Sequence, residues 1–215
     1  MEKEKAVKMT VGSDILEGNL FKPPAAKGIV LFAHGSGSSR FSPRNQHVAK
    51  VLNKAGFATL LFDLLTNEEE ETDMRTAQFR FDIELLSQRL IAATKWLRKN
   101  PATKDMAFGY FGASTGAAAS LIAAAELPAE IKAVVSRGGR PDLALDYLQK
   151  VKAPTLLIVG GNDTVVIGLN KKALSRLSVV KKLEIVPGAS HLFEEEGKLE
   201  EVAKLSVDWF SMHLR

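Results

Sequence analysis

The pentapeptide Gly112–Gly116 (GASTG) carries the clearest chemical signal in the sequence. It separates an apolar run from a segment of small residues, so a sharp turn between a strand and a helix would lift Ser114 above the sheet as a nucleophile. The two glycines suit such a turn because the strand and the helix approach each other closely there. The alternative is that Ser114 only caps the helix, between two incidental glycines. Its position directly after a predicted strand favours the nucleophile.

A serine hydroxyl becomes a strong nucleophile only when a neighbouring base accepts its proton. His191 is the predicted base, because it lies in the loop PGASHLF between the last apolar run and the final amphipathic segment; the alternative is a surface or capping role. Asp163, in the turn GGND, is the predicted acceptor that orients the imidazole. Asp142 is the second candidate for that acid, although its position after Pro141 is typical of a helix N-cap.

Attack on a carbonyl group builds a negatively charged oxygen, which two backbone N–H groups can stabilise. We expect one N–H from Thr115, directly after the predicted nucleophile, and one from Ser36, in a glycine-flanked loop after the first buried strand. His34 opens this loop, and we expect it to brace the loop or to contact the substrate. The sequence therefore predicts an oxyanion hole that is built from two separate loops.

Arginines gather in the loops around the predicted nucleophile, at Arg40, Arg44, Arg137 and Arg140. They could bind an anionic substrate group such as a carboxylate or a phosphate, and Arg40 and Arg137 are our substrate-binding candidates together with His34. The alternative is that these arginines cap helices or form salt bridges with nearby acidic residues.

The order of apolar and polar segments predicts the fold. Short β-branched or aromatic runs, each followed by an amphipathic segment, indicate parallel strands with helices on both faces of the sheet. A turn at Gly12–Ser13 predicts an antiparallel hairpin at one edge. The acidic segment Thr66–Thr76 is expected to be a surface loop or a lid-like insertion. The predicted strands span residues 5–11, 14–22, 28–33, 57–62, 106–111, 131–136, 155–159 and 182–186, and the predicted helices span residues 45–55, 80–99, 115–127, 171–177 and 199–214.

The composition excludes several classes of protein. With 215 residues, of which 46% are hydrophobic and 25% charged, the chain can bury a sizeable core, so we expect one folded domain over residues 1–215. It has no cysteine, which excludes disulfides, a thiol nucleophile and cysteine zinc sites. The net charge of +4 is spread along the chain, which argues against a nucleic-acid partner.

No segment predicts a secretory signal or a membrane span, so we expect a cytoplasmic protein without a membrane partner. No motif indicates a cofactor or a metal ion, and we expect neither. The expected partner is a small-molecule ester, and the sequence leaves open whether the protein is a monomer or a homodimer.

These motifs resemble the α/β-hydrolase superfamily and, within it, the small enzymes related to dienelactone hydrolase. The resemblance covers the chain from roughly Gly28 onward. It rests on HGSGSSR at 34–40, GASTG at 112–116, SRGGRPDLA at 136–144, GGND at 160–163 and PGASHLF at 187–193. It implies an α/β-hydrolase fold without a large cap domain, in which Ser114, Asp163 and His191 follow one another in the expected order. Dienelactone hydrolases proper use a cysteine nucleophile, so the resemblance here implies a serine esterase.

The leading hypothesis is a carboxylesterase that cleaves esters of short acyl chains through an acyl-enzyme intermediate. Because the chain leaves no room for a large cap, we expect a shallow cleft, roofed at most by residues 64–80. A thioesterase, an amidase or an acyltransferase would carry the same motifs. A binding module without activity is disfavoured because serine, acid and base are all present, and a nucleotide-binding protein is disfavoured because the phosphate-loop motif is missing.

Overall fold

An eight-stranded sheet forms the centre of the part of the chain that the structure describes. The computed structural model describes residues 4–214, so residues 1–3 and 215 of the predicted domain lie outside the described residues. The strands are β1 (Lys5–Val11), β2 (Asp14–Phe21), β3 (Ile29–Ala33), β4 (Ala58–Phe62), β5 (Phe108–Ala113), β6 (Ile131–Arg137), β7 (Thr155–Gly160) and β8 (Lys181–Val186). They lie in the order β1-β2-β4-β3-β5-β6-β7-β8. Strand β2 is antiparallel to both of its neighbours, β1 and β4, whereas every pair from β4–β3 to β7–β8 is parallel.

Helices cover both faces of this sheet. They are α1 (Pro43–Lys54), α2 (Asn67–Thr76), α3 (Ile83–Lys99), α4 (Thr115–Glu126), α5 (Thr164–Arg176) and α6 (Lys198–His213), and two short 3-10 turns span Pro141–Ala144 and Leu148–Lys150. Side chains of α1 and α6 pack on one face, and side chains of α3, α4 and α5 pack on the other. Strands β3, β4, β5 and β7 are therefore buried at every position, which is why they read as continuous apolar runs. The prediction of an α/β-hydrolase fold is confirmed.

Helix α4 lies closest to the sheet and positions the pentapeptide. Every residue of α4 except Glu126 is buried, and most of them are alanine or glycine. Small side chains let the helix axis approach the strands, so the turn between β5 and α4 is tight and well supported. None of the helices within residues 4–214 combines the length and the hydropathy that crossing a bilayer would require.

The prediction of a surface loop at Thr66–Thr76 is wrong, because Thr66 is the N-cap of α2 and residues 67–76 are helical. A capping box starts the helix: the Thr66 hydroxyl accepts a hydrogen bond from the Glu69 N–H at 3.2 Å, and the Glu69 carboxylate accepts one from the Thr66 N–H at 2.8 Å. Of residues 67–76, all of them described, only Asp73 is buried. The helix therefore has no apolar stripe by which the sequence could reveal it.

Helix α5 also begins earlier than expected, at Thr164 instead of Lys171. Its first turns contain the β-branched run Thr164–Ile167 and then Gly168, residue types with low helix propensity. The helix forms there because Val166 and Asn170 are buried against the rest of the protein, so tertiary packing outweighs local preference.

Candidate active site

Ser114 lies on a strained turn between β5 and α4. Its backbone has φ 50° and ψ −119°, a conformation that a residue with a side chain rarely adopts. A Cβ atom at Gly116 would stand 2.2 Å from the carbonyl oxygen of Ala33, and one at Gly112 would stand 2.5 Å from the Cα of Ala117. Both glycines are therefore required for steric reasons, and together they hold Ser114 above the carboxyl end of the sheet.

Asp163 and His191 are joined directly by a hydrogen bond. Asp163 follows β7 at the start of α5, His191 lies in the loop after β8, and the imidazole Nδ1 is 2.6 Å from the Asp163 carboxylate oxygen Oδ2. Because the Nδ1–H group donates a hydrogen bond to this carboxylate, Nε2 is the ring nitrogen that can accept a proton. Glycine suits position 138 beside this loop, since a Cβ there would stand 3.0 Å from the carbonyl oxygen of His191 and the residue has φ +52°.

Asp142, the alternative acid, has a different partner. Its two carboxylate oxygens accept hydrogen bonds from Nε and Nη2 of Arg140 at 2.9 and 2.8 Å. This hydrogen-bonded contact raises the pKa of the Arg140 guanidinium. The structure therefore brings Asp163, and not Asp142, to the histidine.

Ser114 and His191 line one cleft of ≈ 200 Å³ at the carboxyl end of the sheet. The loop after β3, the first residues of α1, the end of β6 and the His191 loop all contribute to its walls. The other lining residues include Gly35, Ser36, Ser38, Ser42, Arg44 and Arg137. Residues 64–80, which the sequence offered as a roof over the cleft, are not among the residues that line it.

The loop after β3 approaches the turn at Ser114 closely. Ser36 Oγ is 3.0 Å from Thr115 Oγ1 and donates a hydrogen bond to the carbonyl oxygen of Arg80 at 3.2 Å. A Cβ at Gly35 would stand 3.0 Å from the Ser114 Cβ, so only a glycine allows this approach without a shift. The backbone N–H groups of Ser36 and Thr115 find no acceptor within residues 4–214, as expected for a loop amide and for the first amide of a helix.

His34 supports this loop from behind the cleft. Its Nδ1 donates to the carbonyl oxygen of Gly35 at 3.0 Å, and its Nε2 accepts from the N–H of Leu64 at 3.0 Å. Burial lowers the pKa of the imidazole, which agrees with a neutral ring. Both ring nitrogens are thus engaged with the backbone, and neither is available to a substrate.

Arg40, the other substrate-binding candidate outside the cleft, is held by two carboxylates. Its backbone N–H donates to Asp63 at 2.7 Å, its Nη1 also contacts Asp63, and its Nη2 pairs with Glu17 at 2.8 Å. These contacts tie the serine-rich loop to the strands beneath it.

Arg137 and Arg44 do lie at the cleft. Sequence reasoning placed Arg44 near the site but did not single it out. Ser42 followed by Pro43 is a sequence pattern typical of a helix start. This pattern would have moved the predicted start of α1 from residue 45 to residue 43 and placed Arg44 in the first turn, where the structure has it. Within the described part of the chain, no cluster of three or more His, Asp or Glu side chains is arranged to hold a metal ion.

The sheet order, the turn at Ser114 and the site at the carboxyl ends of the strands define an α/β-hydrolase. The chain belongs to the dienelactone hydrolase family, whose model matches residues 16–212. The family and the solved structures that resemble this chain both support the conclusion that the protein is a hydrolase.

The chain is similar over its whole length to the crystal structure of a dienelactone hydrolase from Anabaena variabilis. The two are 61% identical with a TM-score of 0.98, over 100% of this chain and 99% of that one. An esterase from Pyrococcus furiosus, Pf2001, shares the fold at 21% identity and a TM-score of 0.80, over 100% of this chain and 94% of that chain. Est1E from Butyrivibrio proteoclasticus shares it at 17% identity and a TM-score of 0.79, over 96% of this chain and 99% of that chain.

The chain also matches two curated proteins of Mycobacterium tuberculosis, from strains CDC 1551 / Oshkosh and ATCC 25618 / H37Rv. Each is 56% identical over 212 residues and bears the name "Putative phosphoribosyl transferase". The match covers 99% of this chain and 47% of each relative, so the chain spans about half the length of the curated relatives it matches.

Proposed function

We propose that this protein is a serine hydrolase of small carboxylic esters, with Ser114, His191 and Asp163 as its catalytic triad. The observation that carries the proposal is the 2.6 Å hydrogen bond between Asp163 and His191, whose ring lines the same cleft as Ser114 on its strained turn. The family of the chain supports hydrolysis, and the three residues supply the nucleophile, the base and the acid that acyl transfer needs.

In the first half of the reaction, the Ser114 oxygen attacks the ester carbonyl while His191 Nε2 accepts the hydroxyl proton. Asp163 stabilises the imidazolium that forms, because its negatively charged carboxylate accepts the hydrogen bond from the Nδ1–H group. The tetrahedral intermediate then collapses: the bond to the leaving alkoxide breaks, and His191 gives its proton to that oxygen. The products of this half are a free alcohol and an acyl group on Ser114.

In the second half, water attacks the acyl group and His191 accepts one of the water protons. Collapse of the second tetrahedral intermediate breaks the bond to the Ser114 oxygen, which takes the proton back from His191. The carboxylic acid leaves, and the enzyme returns to its starting state.

The negative oxygen of both intermediates needs donors that are fixed before the reaction. We assign these donors to the backbone N–H groups of Ser36 and Thr115, which find no acceptor within residues 4–214. The two residues are neighbours, because their hydroxyl oxygens lie 3.0 Å apart. His34 supports this arrangement by bracing the loop through Gly35 and Leu64, which makes it a positioning residue in this proposal.

The cleft favours small substrates. Its volume of ≈ 200 Å³ is smaller than that of pockets for drug-sized ligands, which start at about 300 Å³. Thioesters, amides or an acyl acceptor other than water would use the same residues, so we propose esters of short acyl chains as the first substrates to test. The longer relatives are named "Putative phosphoribosyl transferase". We do not propose that activity for this cleft, because its residues are those that acyl transfer needs.

The test compares hydrolysis of p-nitrophenyl acetate and p-nitrophenyl butyrate by the wild type, Ser114→Ala and Ser175→Ala. Ser175 is an exposed serine on α5 and serves as the matched control. We expect kcat/KM to fall by about 10⁴-fold or more in Ser114→Ala and to stay unchanged in Ser175→Ala. Activity that survives in Ser114→Ala would contradict the proposal.

A further inference from the structure

Arg137 is a buried arginine whose charge the protein leaves unpaired. It ends β6 beside the turn at Ser114, whose backbone N–H donates to the Arg137 carbonyl at 3.2 Å. The residue lines the cleft, yet it is only 7% exposed. Its Nε and Nη1 find no acceptor within the described residues, and its Nη2 meets only the neutral side-chain oxygen of Asn45, at 3.4 Å.

A buried cation without an anionic partner is unfavourable, so such a group calls for an explanation. No carboxylate within residues 4–214 forms an ion pair with Arg137. Burial and the nearby positive charge of Arg44 lower the pKa of Arg137 to about 10, which still leaves the guanidinium charged at neutral pH. The cleft therefore holds a positive charge that the fold itself does not neutralise.

The first turn of α1 adds further positive potential at the same wall. Arg44 pairs through Nη1 with the exposed Glu194 at 2.9 Å, while its buried Nε has no acceptor among the described residues. The 12-residue helix has no acidic residue in its first turn, so the positive end of its dipole is not offset there. Ser42, the N-cap of this helix, lines the cleft, and so does Ser38.

We propose that Arg137, Arg44 and the N-terminus of α1 form a subsite for a phosphate group on the substrate, so that the natural ester is an anionic phosphorylated one. The inference rests on the proposed function, because it places the phosphate in the cleft that contains Ser114. Arg137 is its central residue.

Phosphate fits this wall because of its charge and its shape. A phosphate monoester carries close to two negative charges at neutral pH, which matches two guanidinium groups, and its three free oxygens point in different directions. The residues that could donate here also come from different elements of the cleft wall, namely Arg137 at the end of β6, Arg44 at the start of α1 and Ser38 in the loop after β3. A carboxylate has one charge and two oxygens in one plane, so it would leave part of this set unused.

The test measures binding of inorganic phosphate by ³¹P NMR or calorimetry to the wild type and to Arg137→Gln, Arg44→Gln and Arg176→Gln. Arg176 is the matched control, because it is exposed at the far end of α5. We expect saturable binding that weakens at least about tenfold in Arg137→Gln and Arg44→Gln and is unchanged in Arg176→Gln. Acetate at equal ionic strength should bind more weakly than phosphate. If Arg137→Gln fails to fold, Arg44→Gln carries the same comparison.

Three results would overturn the subsite: no saturable phosphate binding, an equal loss in Arg176→Gln, or acetate binding as tight as that of phosphate. Because binding is measured without turnover, its outcome is distinct from that of the proposed function. Phosphate binding with no ester hydrolysis would support the subsite and contradict the hydrolase. Where hydrolysis of p-nitrophenyl acetate is present, phosphate should inhibit it in the wild type and at least about tenfold less potently in Arg137→Gln.

Discussion

Arg89 and Arg137 are buried arginines in two regions of the molecule, and they differ in the groups that surround them. Arg89 is 5% exposed and pairs through Nη2 with Asp14 at 2.7 Å and with Glu69 at 2.8 Å. Arg137 is 7% exposed and has no carboxylate partner within residues 4–214. The first arginine ties α3 to α2 and the hairpin, whereas the second lines the cleft beside Ser114.

The same difference holds for the groups around these two arginines. Near α2, Asp73 accepts hydrogen bonds from Arg80, and Asp63 holds Arg40, so each charge meets its opposite inside the fold. At the cleft, Asp163 meets a histidine instead of an arginine. In our proposal, the paired arginines near α2 hold the structure together, whereas Arg137 has a substrate phosphate as its partner and Asp163 acts on the base His191.

The largest effect should come from the acid at the histidine. Asp163→Asn removes the carboxylate that orients and stabilises the His191 ring, so kcat/KM for p-nitrophenyl acetate should fall by about 10³- to 10⁴-fold. Asp142→Asn, which only disturbs the pair with Arg140, should change kcat/KM by less than about threefold. Equal losses in the two variants would remove the distinction between the two aspartates.

The two buried arginines should differ in stability when each is replaced by methionine. Arg89→Met leaves Glu69 and Asp14 without their partner and should lower the free energy of unfolding by about 3 kcal/mol. Arg137→Met removes an unpaired buried charge and should leave the free energy of unfolding unchanged or raise it by about 1 kcal/mol. Urea unfolding in a phosphate-free buffer measures both, and a similar destabilisation in both variants would contradict the comparison.

The smallest effect concerns Asp73 in acid. Burial raises the pKa of its carboxyl, but hydrogen bonds from the N–H groups of Arg80 and Phe79 and the Arg80 guanidinium outweigh burial and lower the pKa overall. A pKa below that of the unfolded chain, about 3.9 for aspartate, means that Asp73 stabilises the fold above that pH. This contribution is lost as the pH falls through the folded pKa.

Asp73→Asn should therefore lower the free energy of unfolding by about 2 kcal/mol at neutral pH, and the difference from wild type should shrink below about pH 4. Asp208→Asn, at an exposed pair with Lys204, is the matched control and should cost less than about 0.5 kcal/mol. Urea unfolding at several pH values checks this, and a difference that does not change with pH would show that the charge of Asp73 is not what matters.

The sequence was most informative where local pattern decides structure. Fully buried strands such as Ile29–Ala33 have an unmistakable apolar run, and the glycines around Ser114 are fixed by close backbone approach. Helix α2 was missed because its stability comes from the capping box at Thr66 and from the buried carboxylate of Asp73, neither of which gives an apolar period.

The spacing of residues in the sequence could not reveal which side chains form hydrogen bonds or ion pairs with residues far away along the chain. Arg40 was expected at the substrate, but its partners Asp63 and Glu17 each lie 23 positions away in the sequence. His34 was expected to brace its loop or bind substrate, and its bond to the N–H of Leu64 spans 30 positions. The pairing of Asp163 with His191 spans 28 positions and was expected only because the order of the three residues limits the choice.

The most direct test of the central claim is covalent labelling with a fluorophosphonate, followed by mass spectrometry of the modified peptide. The cleft contains Ser36, Ser38, Ser42 and Ser114, so the position of the adduct discriminates among hydroxyls in one site. We expect one adduct, on Ser114, whose formation slows strongly in His191→Ala. An adduct on any other serine, or labelling of Ser114 at an unchanged rate in His191→Ala, would contradict it.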